Sequence, residues 1–207
     1  MQVLVPYDVQ EPKTRLSAVF DANQRQAFSR VMLDDVLRSL HKAGHDPIVL
    51  ATAAIDCESS VIIDERPLTV AVNGEIDARD PPTGVVMADL GLVTAGALNR
   101  LFETPGDVVI APGVGGGTNA LVVRESAFQV DYHGLSFRDH CAAARQKGYE
   151  VSVVDSFRLA MDVDEPDNIL EVLLHGEGCA REWLTNSGAS VDQTGDEPTL
   201  SFSEELE

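Results

Sequence analysis

Short apolar runs that end on turn residues alternate with stretches of helical period along most of this chain, and no other feature constrains its fold as tightly. Residues 2–6 read as a strand closed by Pro6. Asp21 opens a helix with Gln24 at capping-box spacing. Phe28, Met32, Val36, Leu37 and Leu40 then recur at helical period until Gly44. Residues 47–51 form the next strand. Residues 61–63 and 68–72 are strand-like, with Asn73-Gly74 as a turn signal and Pro81-Pro82 as a breaker. Residues 84–89 read as a buried strand ending in a carboxylate. Thr94 caps a short helix to about Glu103. Residues 107–112 and 120–123 are strands on either side of a glycine-rich loop. Ser136 is expected to cap a helix through its hydroxyl, and Gly148 to close it. Residues 149–154 are a strand, Glu165-Pro166 opens a helix with proline at its first position, and a last helix holds Trp183. This order predicts an α/β fold, a single domain with a mixed, mostly parallel central sheet flanked by helices.

The 207 residues suit one domain, and an apolar share of 44% suffices for a substantial core. The domain is expected to span residues 1–186. Residues 187–207 are rich in Ser, Gly, Asp, Glu and Thr, and are expected to remain a disordered acidic tail. No run of about 18 apolar residues exists to cross a membrane, and the N-terminus lacks the pattern of a signal peptide. Cys57, Cys141 and Cys179 are too far apart for a C-x-x-C metal pattern and suggest no disulfide framework. A reducing cytoplasm is the simple expectation, with the thiols as small hydrophobes. Asp and Glu number 34 against 15 Lys and Arg, a formal net charge of -19. Such a field repels nucleic-acid phosphates, which argues against a nucleic-acid partner. It also fits a protein kept soluble in concentrated salt, where screening relieves self-repulsion.

Three groups of residues carry the chemistry. Gly113, Gly115, Gly116 and Gly117 precede Thr118-Asn119. This is neither a P-loop, since no Gly-Lys-Ser/Thr closes it, nor a good dinucleotide fingerprint. Consecutive glycines let a ligand approach backbone N–H groups that can hold phosphate or carboxylate oxygens; the bland alternative is a flexible hairpin. Asp89 ends an apolar strand, and Asp162 and Asp164 alternate, so that in extended chain both face one side. Paired carboxylates can hold Mg²⁺ against phosphate oxygens. Asp164 viewed alone is as well explained as a helix N-cap, and Asp89 as a turn residue. Lys13 and Arg15 lie close together in a chain poor in cations. They suggest an anion site, Lys as a point charge and Arg as a fork; the alternative is a pair of solvated charges. His140 is expected to be a structural helix residue. Asp89, the glycine loop and the first loop all follow predicted strands, and α/β sheets bind ligands beyond the carboxyl ends of their strands.

In order along the chain, Pro12-Lys13-Thr14-Arg15-Leu16-Ser17, Met32-Leu33-Asp34-Asp35-Val36-Leu37, Met87-Ala88-Asp89-Leu90, Ala111-Pro112 with Gly115 to Leu121, Ser136-Phe137 with His140, and Asp162 to Pro166 resemble the motifs of the 2-phospholactate guanylyltransferases, enzymes of coenzyme F-420 biosynthesis. The resemblance covers about residues 3–173. It implies a nucleotidyltransferase fold related to the sugar-phosphate nucleotidyltransferases, and a homodimer. It implies GTP and a small phosphorylated acid as substrates, with Mg²⁺ on Asp89, Asp162 and Asp164. Lys13 and Arg15 would meet the triphosphate. Gly115, Gly116, Gly117, Thr118, Asn119 and Ser136 would bind substrate, Thr118 and Ser136 meeting the phosphoacid. Two departures stand out. Gly91 replaces the usual Pro, which is expected to loosen the metal loop, and Gly113 replaces the usual Asp. Two other readings stay open: a nucleotidyltransferase with another phosphorylated acceptor, such as phosphoenolpyruvate or 3-phosphoglycerate, and a non-catalytic nucleotide-binding protein.

Overall fold

The computed structural model describes residues 1–10 and 12–203. Its centre is a seven-stranded sheet. The strands are β1 (Gln2–Tyr7), β2 (Asp46–Ala51), β3 (Ser60–Ile63), β4 (Thr83–Val86), β5 (Val108–Pro112), β6 (Thr118–Val123) and β7 (Val151–Val153), in the spatial order β3-β2-β1-β4-β6-β5-β7. β6 runs antiparallel to both of its neighbours, and every other pairing is parallel. The expected mixed, mostly parallel α/β sheet is therefore present. No helix among the described residues is long and apolar enough to cross a membrane.

Alternation along the strands sorts side chains to two faces. Val3, Val5, Val109, Ala111, Ala120 and Val122 pack on one side with α1 (Ala22–Lys42) and α3 (Ala95–Glu103). Leu4, Val108, Ile110, Leu121 and Val123 pack on the other with α2 (Leu68–Asp77) and α4 (Ser136–Gln146). α1 begins with the expected capping box, in which the Asp21 carboxylate accepts the Gln24 N–H and the Gln24 side chain accepts the Asp21 N–H. It ends at Gly44, whose φ of +77° costs glycine little.

The stretch 68–72 is not a strand. Leu68–Asp77 is helical, and Ala71, Val72 and Ile76 form its buried face. Asn73 turns nothing. Its amide donates to the Val130 carbonyl and accepts the Val130 N–H, which ties α2 to the chain before α4. Tertiary pairing of this kind overrides the β-propensity of Val70 and Val72.

A third cluster lies at one end of the sheet. It joins Leu16, Phe20, Phe28 and Met32 to Val163, Ile169 and Val172 of the segment entering and forming α6 (Pro166–His175), and to Leu184 of α7 (Cys179–Asn186). Part of the expected disordered tail is instead a hairpin that reaches this cluster. β8 (Ala189–Asp192) and β9 (Thr199–Phe202) form an antiparallel hairpin, with Ala189 buried and Phe202 edge-on to Phe20 at 5.7 Å. Phe20 and Phe28 also meet Trp183, at 5.3 and 5.2 Å. Four apolar residues at alternate or paired positions, Ala189, Val191, Leu200 and Phe202, supply the buried face that composition concealed. The last acidic residues, 204–207, lie outside the described residues.

α7 is fastened from a distance. The buried Asp35 of α1 accepts the N–H groups of Cys179 at 3.0 Å and Ala180 at 2.8 Å, and Arg38 balances its charge at 2.9 Å. Gly178 makes room for this, because a Cβ there would lie 2.3 Å from an Asp35 oxygen.

Candidate active site

The chain leaves β1 and makes a short 3-10 turn, Thr14–Ala18, anchored by buried Leu16. Lys13 precedes that turn with φ 57°, the one positive value on a non-glycine residue among those described. Backbone strain of this kind persists only where surrounding contacts enforce it. Here they do: the Lys13 ammonium lies 2.5 Å from Asp89 and 2.7 Å from Asp164, with its side chain only 8% exposed. Burial works against the charge, but the two carboxylates outweigh it and hold the lysine pKa above its ordinary value. Arg15 lies further out, 3.9 Å from Asp164 and from Glu165.

Asp89 sits in the turn after β4, as its place at a strand end predicts. Its carbonyl accepts the N–H groups of Gly91 and Val163, both at 3.0 Å, so the backbone of one carboxylate loop is stitched to that of the other. Val163 is buried in the third core, while its neighbours Asp162 and Asp164 are only partly covered and bond to Asn119 and Lys13 respectively. Asp164 does not cap α6. That role falls to Glu165, while the Asn168 side chain reaches back to accept the N–H groups of Asp164 and Glu165.

Asp162 is held by Asn119, whose amide donates to it at 3.1 Å and also lies 3.0 Å from the Leu159 carbonyl and 3.1 Å from that of Ala160. Burial raises the Asp162 pKa. The Asn119 bond opposes the shift, and the nearby Asp89 and Asp164 carboxylates add to it. The departure at Gly113 acquires a reason: a Cβ there would lie 2.5 Å from the Asn119 side-chain oxygen. Gly91 is packed, not loose, because a Cβ on it would lie 2.7 Å from Val172 and 2.8 Å from Val163.

The glycine loop closes on itself through Gly113 N–H to Gly117 O and Gly116 N–H to Gly113 O, with Gly116 at φ +83°. Gly115 has open space beside its Cα. The start of α4 docks on this loop, since the Phe137 N–H donates to the Gly116 carbonyl. Ser136 is buried in the first turn, but Leu135 holds the cap position and no side-chain cap forms, contrary to expectation. Thr118 is buried beside His140, 2.9 Å from its Nδ1.

The three aspartates thus reach one place, but not as a preformed cage. Among the described residues no group of three His, Cys, Asp or Glu is close enough to hold a metal ion. The expected triad of Asp89, Asp162 and Asp164 is divided by Lys13 and Asn119. The residues nevertheless fit a hard cation that takes one or two carboxylates and completes its shell with phosphate and water. The Asp89 Oδ1 is buried without a hydrogen-bond partner among the described residues, and buried carboxylate oxygens rarely go unmatched.

A cavity of about 390 Å³ opens at the carboxyl ends of β1, β2 and β3, lined by Tyr7, Leu50, Thr52, Pro67, Leu68 and Met87 among others. Sequence reasoning missed it, because two of its walls depend on the helix formed by residues 68–77. A larger groove of about 850 Å³ along α1 contains none of the residues gathered around Lys13.

The sheet order is that of an α/β fold shared with proteins described as nucleotide-diphospho-sugar transferases. A solved structure from Desulfovibrio desulfuricans, provisionally described as such a transferase, superposes with a TM-score of 0.71 at 16% identity, covering 90% of this chain and 94% of that one. That likeness concerns the fold. The chain belongs to the family described as guanylyl transferase CofC like, whose model matches residues 1–202. Similar proteins named 2-phospho-L-lactate guanylyltransferase come from Halomicrobium mukohataei (56% identical, covering 92% of this chain and 94% of that protein) and Natronomonas pharaonis (54%, covering 97% and 98%). Another is from Haloferax volcanii (54%, covering 92% and 93%).

Proposed function

We propose that this chain joins GTP to (2S)-2-phospholactate, giving (2S)-lactyl-2-diphospho-5′-guanosine and pyrophosphate. The carrying observation is the convergence of Lys13, Asp89, Asp162 and Asp164 beside the glycine loop, in a chain whose relatives bear that name. A phosphate oxygen of the acceptor attacks the α-phosphorus of GTP, the bond to the bridging oxygen breaks, and pyrophosphate leaves. The acceptor phosphate, with a second pKa near ~6, is already ionised and needs no general base. The work left to the protein is positioning and charge neutralisation. Lys13 and Arg15 meet the triphosphate, and Lys13 also holds two carboxylates in place. The glycine loop, Thr118 and Ser136 receive the phosphoacid, supported by the free space at Gly115 and the start of α4. The cavity beside Tyr7 and Met87 offers apolar walls for the guanine base. Asp89, with Asp162 or Asp164, would hold Mg²⁺, which supplies charge neutralisation at the reacting phosphates when bound. A homodimer is the assembly we carry over from the family resemblance, to be checked by light scattering.

The test is pyrophosphate release with each nucleoside triphosphate against phospholactate, phosphoenolpyruvate and 3-phosphoglycerate. Preference for GTP with phospholactate, lost in Lys13→Ala and Asp89→Asn while both variants stay folded, is expected. Faster turnover with another acceptor would replace the substrate assignment. No turnover with any of them would leave a nucleotide-binding protein. Full activity in Asp89→Asn would remove the site.

A further inference from the structure

His140 is assigned no part in the reaction above, yet it is 1% exposed and both of its ring nitrogens are engaged. The Asp131 backbone N–H points at Nε2 from 2.8 Å. A backbone amide can only donate, so Nε2 presents its lone pair. The ring is enclosed by the edges of Phe128 and Tyr132, and burial depresses its pKa, against the weaker opposing pull of Asp131 and Asp139. A neutral ring with Nε2 as acceptor carries its proton on Nδ1. Nδ1 lies 2.9 Å from Thr118 Oγ1, so the histidine donates and the threonine accepts. Thr118 Oγ1 has no other hydrogen bond among the described residues. Its own proton is therefore turned away from His140.

We propose that His140 is a positioning residue that fixes Thr118 as a hydrogen-bond donor toward the oxygens of the phosphorylated acid. The inference rests on the reading that Thr118 lines the acceptor subsite. The opposite tautomer would spend the threonine proton on the imidazole and leave only lone pairs facing an anion. The polarity of the subsite is thus set by one main-chain N–H, relayed through a buried ring, and the threonine is only the last member. The segment carrying Asp131 is itself held in place, with Asn73 pairing with Val130 and Thr69 accepting the Tyr132 N–H. This keeps the donor aimed at Nε2.

Two substitutions divide the ring's functions. In His140→Asn the amide group falls near Nδ1 and can still donate to Thr118. In His140→Gln the terminal group replaces Nε2 and can accept from Asp131, while Thr118 loses its donor. KM for phospholactate and for GTP, kcat and thermal unfolding are measured for both, for Thr118→Val and for Thr118→Val/His140→Gln. A lost hydrogen bond to a charged ligand predicts a rise in phospholactate KM of about 10-fold or more in Thr118→Val. A comparable rise is expected in His140→Gln and a small one in His140→Asn, with GTP KM nearly constant throughout. The double variant should be no worse than Thr118→Val alone. An unchanged phospholactate KM in Thr118→Val would overturn the acceptor placement and this inference with it. A rise in Thr118→Val but none in His140→Gln would overturn the role of His140 alone. So would equal losses in His140→Asn and His140→Gln, on both substrates, that follow unfolding temperature. Nitrogen-edited NMR of the unmodified protein reads the tautomer whatever the variants do: a proton on Nδ1 supports the relay, and one on Nε2 overturns it.

Discussion

Asp162 bears the cost of the arrangement around Lys13. Its carboxyl is raised by burial and by the charges of Asp89 and Asp164, with Asn119 working the other way. A group whose pKa is higher in the folded than in the unfolded state contributes stability in full below the unfolded value, and loses it as pH rises through the folded value. Asp162→Asn is therefore expected to be more stable than the parent at neutral pH. The gain should fade toward acid, below about pH 4, where the parent carboxyl is also neutral. Turnover should fall by about 100-fold or more, because removing a preorganised charge costs the transition state directly. Denaturant unfolding across pH, alongside turnover, checks both. Gly91→Ala tests packing in the neighbouring loop: two extra close contacts, with Val172 and Val163, should cost about 1–3 kcal/mol in a thermal or urea melt. Much of this site was legible from the sequence because Lys13, Asp89, Asp162 and Asp164 each lie near a strand end or in alternating extended chain. What could not be read was the contacts between them. That Lys13 reaches carboxylates 76 and 151 residues away, or that Asn119 needs a bare Gly113, depends on the fold bringing the segments together.

At the scale of elements, the hairpin of β8 and β9 has the most to reveal. It packs on the same cluster as Leu16, which anchors the turn after Lys13, and Val163, which lies between two of the aspartates. Truncation after Asn186 removes Ala189, Val191, Leu200 and Phe202 from that cluster. It should lower stability by several kcal/mol, taking about 1–3 kcal/mol for each large side chain withdrawn. Phe202→Ala alone should cost about 1–3 kcal/mol, since the ring is only partly covered. Guanidinium unfolding of both variants, with turnover of the folded fraction, measures the effect; unchanged stability would mean the hairpin contributes nothing. The tail was hidden from sequence reading because its polar residues dominate composition while the four apolar ones of the hairpin are split by a loop. Residues 68–77 were hidden for a different reason. Leu68, Val70 and Val72 alternate as a strand would, and only the continuation to Ile76 on the face of Ala71 and Val72 shows a helix. The long, regularly spaced α1, with its box at Asp21, left no such ambiguity.

At the scale of the whole molecule, the net charge of -19 acts everywhere at once. Like charges over a compact surface oppose folding, and dissolved salt shortens their reach from about 10 Å at 0.1 M to about 3 Å at 1 M. The melting temperature is expected to climb as KCl rises from dilute buffer to several molar; a flat or falling profile would contradict it. The named relatives come from halophilic archaea, in keeping with that expectation. The fastening of α7 by Asp35 has a consequence for how the chain comes into being. A ribosome releases Asp35 early and the amides of Cys179 and Ala180 only 144 and 145 residues later. At about 5–20 residues per second, that carboxylate waits roughly 7–30 seconds for its partners. Until then α1 can dock on the sheet with this charged face still in water. The growing protein therefore closes its third core only after α7 has emerged, and a chain cut short before residue 180 cannot finish that step.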